Sequence, residues 1–144
     1  MARWRAEALK RLPELRTAID SAPEIMAFWI DAQYAFKRAY EKNPRDDSLI
    51  ARIYAFADWC AGARRGPDAG HDPSTAVVVA FYEDIPTIPA AREDMVRWFT
   101  YAEVADSRAV FSYHLSDDEF EKLLGHLRRN KHEYMPRASR EGTS

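Results

Sequence analysis

Four histidines, one cysteine and a few clustered carboxylates are the residues whose chemistry could go beyond packing in this 144-residue chain. A histidine works as acid, base or metal ligand when other groups converge on it. No His-Glu-x-x-His or Glu-x-x-His spacing occurs. His126 and His132 stand six apart, so they do not share a helical face at ligand spacing. His71 precedes Asp72 in a loop, and His114 stands beside Ser112, Tyr113 and Ser116. These two are the candidates for metal binding or catalysis, against the plainer account of surface or capping roles.

Cys60 falls on an apolar stripe near the C-terminal end of a helix, where the helix dipole opposes a thiolate. It reads as a small buried hydrophobe. One thiol forms neither an internal disulfide nor a cysteine-based zinc site. Glu83-Asp84, Glu93-Asp94 and Asp117-Asp118-Glu119 are adjacent acids. Neighbours on a helix diverge by about 100° and do not aim at one atom, so capping and solvation account for them first. Asp31 and Asp58 each lie close to a tryptophan on an apolar helix, in Trp29-Ile-Asp31 and Asp58-Trp59-Cys60. If partly buried there, they need Arg or Trp N–H partners. Structural pairing is the expectation, with an acidic site as the alternative. No phosphate loop, dinucleotide glycine motif or nucleophile elbow is present. The residues therefore call for no cofactor, no metal and no defined catalytic set.

Charge is unevenly spread. Residues 1–16 and 128–144 each carry net +3, whereas residues 17–127 hold 11 basic and 19 acidic side chains. An acidic body repels nucleic acid and favours basic partners. Plain solubility is the simpler explanation of the same charge. The basic ends come with no nucleic-acid-binding motif. Met1–Lys10 lacks the apolar run of a signal peptide, and no stretch reaches membrane-spanning length. The chain reads as cytosolic.

The elements that must hold these residues are helices. Five glycines are too few for a turn-rich β fold. Leu9, Leu12, Leu15 and Ile19 open the pattern, with a break at Pro13. Ser21-Ala-Pro-Glu24 has the form of a capping box. It leads into a strong stripe of Ile25, Phe28, Trp29, Ala32, Phe36, Ala39 and Tyr40 that ends near Asn43-Pro44. Asp46 or Asp47 caps a helix whose apolar stripe runs from Leu49 to Cys60; Arg64 and Arg65 suit its C-terminal end, and Gly66-Pro67 stops it. Residues 76–82 hold three consecutive valines and could be a strand. Asp72-Pro73 is a helix start, however, and no second strand exists to pair with it, so helix is expected. Pro89 opens another helix. Thr100-Tyr-Ala-Glu103 caps one running to about Phe111. Ser116-Asp-Asp-Glu119 caps a stripe of Phe120, Leu123, Leu124 and Leu127. The prediction is a single all-α domain of six to eight helices over residues 1–127, with a basic, mobile tail over 128–144. Trp29, Phe36, Ile53, Phe56, Phe81, Leu123 and Leu124 should share its core.

The succession Leu49-Ile50…Ile53-Tyr-Ala-Phe-Ala-Asp58-Trp59, then Val77-Val-Val-Ala-Phe-Tyr-Glu83, then the Trp98 segment resembles small bacterial all-helical domains of unknown function. Some of these are candidate immunity proteins of polymorphic toxin systems. The resemblance spans roughly residues 12–125 and carries no catalytic motif, so it transfers no functional residue. It implies a protein-interaction module that occludes a basic site on a partner. Asp31, Asp58, Glu83, Asp84, Asp117 and Asp118 are the candidate contact residues. The alternatives are a small-molecule enzyme built around His71, His114 or Asp58, and a homo-oligomeric structural protein.

Overall fold

In the computed structural model, residues 3–137 are described, and among them the chain is an all-α bundle. The helices are α1 (Arg3–Arg11), α2 (Arg16–Ser21), α3 (Ile25–Glu41), α4 (Asp47–Ala61), α5 (Pro73–Val77), α6 (Pro89–Trp98), α7 (Tyr101–Asp106), α8 (Arg108–Phe111) and α9 (Asp117–Arg129). The described residues thus hold nine α-helices where six to eight helices were expected. One reason is Ser107. Its φ of −111° and ψ of 40° lie outside the helical region, which splits the helix after Thr100 into α7 and α8.

Two of the three capping boxes form. Glu119 N–H donates to Ser116 Oγ at 3.1 Å and Ser116 N–H to Glu119 Oε1 at 3.0 Å; Thr100 and Glu103 repeat the pattern at 3.1 and 2.9 Å. Asp46 caps α4 through Leu49 N–H. Such caps each contribute about 1 kcal/mol. The box expected at Ser21 does not form. Ala22 precedes a proline and is extended, with ψ 128°, as that position requires. Ser21 is therefore left on the end of α2, where its hydroxyl donates back to Thr17 O at 2.7 Å. Glu24 becomes the N-cap residue of α3 without capping it by its side chain.

The valine-rich segment is helical, and no strand occurs among the described residues. It departs from the expected helix in one respect: α5 ends at Val77 and Val78–Tyr82 continues as a π-helical turn. That turn keeps Ala80 and Phe81 buried. The core forms where it meets α3 and α4. Trp29 stacks between Phe56 at 5.5 Å and Phe81 at 4.8 Å, and Phe36 meets Phe81 edge-on at 4.9 Å. Tyr54 of α4 stacks on Trp98 of α6 at 4.6 Å. Ile53 is buried with them, and Leu123 and Leu124 close the same core from α9. Aromatic pairs of this kind add about 0.5–1.5 kcal/mol each beyond area burial.

A buried polar knot ties the bundle together. The Asp94 carboxylate of α6 accepts from Tyr40 Oη of α3, from Trp98 Nε1 at 3.1 Å, and from Arg97 Nε and Nη2 at 2.6 and 2.7 Å. Arg97 also reaches Asp47 at the start of α4. Burial, with the Asp94 charge second, holds the Tyr40 hydroxyl far above its ordinary range, so it stays a donor.

The apolar repeat stops at Leu127, whereas α9 runs on to Arg129. Residues 130–137 then return to the body, with Met135 N–H donating to Arg97 O at 2.9 Å. The last part of the basic tail expected from residue 128, residues 138–144, lies outside the described residues. No helix among the described residues is long and apolar enough to cross a membrane.

Candidate functional site

Asp58 and Trp59 stand near the end of α4, on the helix whose opposite face is buried in the core. Two breaks in regular helix leave a hollow in front of them. The π-helical turn sets Val78 and Tyr82 along one wall, and the α7–α8 break at Ser107 sets Phe111 and Asp106 along another. The result is a cleft of about 600 Å³ with Trp59, Tyr82, Phe99 and Phe111 as its aromatic surface. Three carboxylates border it: Asp58 of α4, and Glu103 and Asp106 of α7. Glu103 and Asp106 share a helical face through their i, i+3 spacing.

Arg137 reaches this cleft after the chain has returned past Met135. Its Nη2 lies 2.8 Å from Glu103 Oε2, and its Nε lies 3.3 Å from Asp58 Oδ1. Glu103 divides its oxygens, Oε1 capping α7 through Thr100 N–H and Oε2 taking the guanidinium. Burial alone would raise the Glu103 carboxyl. The Thr100 N–H and the Arg137 guanidinium outweigh it and hold the group below the usual carboxylate range. Asp58 is thus paired with an arginine, which fulfils the condition its sequence position set for partial burial.

The other sequence candidates are dispersed. Asp31 is exposed on the outer face of α3, near the exposed Ile30 and Tyr34. Asp117 and Asp118 are exposed in the first turn of α9, and Asp117 pairs loosely with Arg108 at 3.6 Å. Glu83, Asp84 and His114 do meet, with His114 Nε2 at 3.0 Å from Asp84 Oδ1. Burial, followed by the Asp84 charge, raises the Glu83 carboxyl. His71 Nδ1 lies 2.8 Å from Asp68 Oδ1, and that hydrogen bond raises the imidazole above its ordinary range. The Glu24 carboxylate approaches the same imidazole nitrogen at 3.6 Å. Each of the three offers one ligand atom within 4.8 Å of the others, which makes them the described residues best placed to hold a metal ion. His71 and Asp58 line one further groove, of about 680 Å³, but each is engaged by a different partner.

Cys60 is fully buried, and that burial pushes its thiol up to about 12. The nearby Trp29 indole works in the opposite direction without offsetting the burial. The thiol is therefore protonated and out of reach.

Sequence reasoning passed over three residues of the cleft. Glu103 was legible as a cap but not as a second ligand to an arginine. Asp106 had only its spacing from Glu103 to mark it. Arg137 belonged to a stretch without periodicity, where no local signal points to a docking place. Asp68-x-x-His71 is a spacing that could have drawn attention to the loop pair. Comparison with protein-family models, curated proteins and solved structures finds no match for this chain.

Proposed function

We propose that the protein is a protein-interaction module that engages a basic partner through the cleft at Asp58, Glu103 and Asp106. It acts by occlusion, in the manner of an immunity-type inhibitor that covers a basic site on its target. The observation that carries this reading is Arg137: the chain's own basic side chain sits across two of the cleft's carboxylates. A surface with three acids around aromatic walls offers charge for steering and rings for affinity. The outlying acids Asp31, Glu83, Asp84, Asp117 and Asp118 add to the steering field. The reading requires neither a cofactor nor a metal ion.

The test is capture from native lysate, identification of the captured protein, and association kinetics over a salt series. The on-rate should fall as salt rises, because screening weakens charge steering. An Asp58→Asn, Glu103→Gln double variant should weaken the complex about tenfold or more, since each carboxylate lost removes a charge-assisted hydrogen bond. Gln at 103 keeps the capping capacity of Glu, so the fold should survive. Capture of nucleic acid, an on-rate indifferent to salt, or an unchanged affinity in the double variant would refute the proposal.

A further inference from the structure

We propose that the cleft is a guanidinium pocket, which takes an arginine side chain of the partner protein, and that Arg137 is its tethered competitor. This rests on the reading of the protein as a module for basic partners and specifies what that partner must present.

The pocket is shaped for a fork rather than a point charge. Two different nitrogens of one guanidinium, Nε and Nη2, meet two carboxylates that arrive from two different helices, α4 and α7. A lysine ammonium brings its donors to a single atom on a flexible stem, so it meets one of these carboxylates well and the other poorly. Trp59, Tyr82 and Phe111 line the same cleft, and the Trp59 ring already has the Arg3 guanidinium 5.9 Å from its centroid, a cation–π approach of the kind a planar cation makes.

Arg137 is held close without being sealed in. Two residues upstream, Met135 is fixed by its backbone hydrogen bond to Arg97 and packs against the core. Between them Pro136 restricts the chain, so the tether is short and stiff. A short tether gives its end group a high effective concentration at the site. Yet the Arg137 side chain is 47% exposed, against 21% for Asp58 and 31% for Glu103. The carboxylates are recessed and the arginine lies over them, so it can leave without disturbing the core. Among the described lining residues, Asp58, Glu103 and Asp106 stand with Arg11 as the other cation, and Arg11 is itself engaged with Glu7 at 3.6 Å. An incoming arginine would take the positions that Arg137 Nε and Nη2 hold against Asp58 and Glu103.

The experiment titrates three small probes, N-acetyl-arginine methylamide and its lysine and citrulline counterparts, into the wild-type chain and Arg137→Ala. The Trp59 indole N–H resonance reports binding. If the tether fills the cleft nine-tenths of the time, the arginine probe should bind the variant about tenfold more tightly than wild type. The lysine probe should bind the variant several-fold more weakly than the arginine probe, and neutral citrulline should leave the resonance in place. Arg137→Gln supplies the same comparison if the alanine variant loses helical dichroism. Equal binding of the arginine probe to wild type and variant overturns the competition and leaves the basic-partner reading standing. Equal binding of lysine and arginine overturns the guanidinium pocket. No binding of either cation to any of these proteins overturns this inference and the basic-partner reading together. Light scattering that shows a wild-type dimer and a monomeric variant would assign Arg137 to a second copy, which also overturns the proposal.

Discussion

Asp94→Ala should be among the most damaging single substitutions in this protein, although it removes no apolar contact. Asp94 is only 7% exposed and gathers three donor residues. Alanine leaves the Tyr40 hydroxyl and the Trp98 indole N–H without their acceptor inside the bundle, and each orphaned buried donor costs about 1–3 kcal/mol. It also strips Arg97 of its buried counter-ion, and breaking a buried pair from one side costs about 3–5 kcal/mol. These losses share one carboxylate and do not add, so about 3–5 kcal/mol in total is expected. Urea unfolding followed by tryptophan fluorescence measures it, and the melting temperature should fall by on the order of 10 °C. Asp94→Asn keeps an acceptor and should lose less than alanine. Tyr40→Phe should cost about 1 kcal/mol in the wild-type background and should recover stability beside Asp94→Ala, because it removes the hydroxyl that alanine orphans. A loss below about 1 kcal/mol for Asp94→Ala, or equal losses for Asn and Ala, would refute the account of Asp94 as the hub.

Phe36→Ala and Leu123→Ala, both inside the shared core, should each cost about 2–5 kcal/mol in chemical denaturation; losses under about half a kcal/mol at both would contradict that packing. Cys60 should react slowly with a thiol reagent in the native state and quickly in denaturant. Its folded pKa lies above its unfolded one, so the stability it contributes is complete below about 9 and declines as pH rises toward about 12; fast native labelling near neutrality would contradict the burial. Glu103 behaves with the opposite sign. Its folded carboxyl sits below the unfolded value of 4.5, so its contribution is present above that pH and lost as pH falls through the folded value. In Arg137→Ala the Glu103 carboxyl should titrate higher than in wild type, and carbon-detected NMR showing no such rise would break the Arg137–Glu103 link.

The parts of this fold that were legible in the sequence are those decided within one helix. The stripes of α3, α4 and α9 and the caps at Asp46, Thr100 and Ser116 depend on spacings of three and four, which a sequence displays directly. Ser21 misled because a serine four residues beyond a carbonyl has two acceptable uses. The extended residue ahead of Pro23 selected the backward one. The π turn at Val78–Tyr82 was hidden for a related reason. One extra residue per turn alters no residue type and only a little of the apolar pattern, so the valine run reads as strand or helix and never as a π turn. Asp58 could be marked as needing a partner, but nothing in its neighbourhood names a residue 79 positions later.

Two of the irregularities, the π turn and the Ser107 break, meet at one place. Val78 and Tyr82 of the π turn, Ser107 at the α7–α8 break, Phe111 of α8 and the returning Arg137 all border the same cleft. Helices packed at interior density leave few voids between them. Here a hollow lined by aromatic residues and carboxylates lies where one helix widens and another stops short. The widened turn also keeps Phe81 in the core beneath Trp29 while its neighbour Tyr82 turns to the cleft wall. The core therefore fixes the position of the wall directly. Places where a chain abandons its best local geometry mark where something other than stability has shaped it. In this protein two such departures converge on carboxylates already held by an arginine, and that convergence is the strongest reason to seek its partner there.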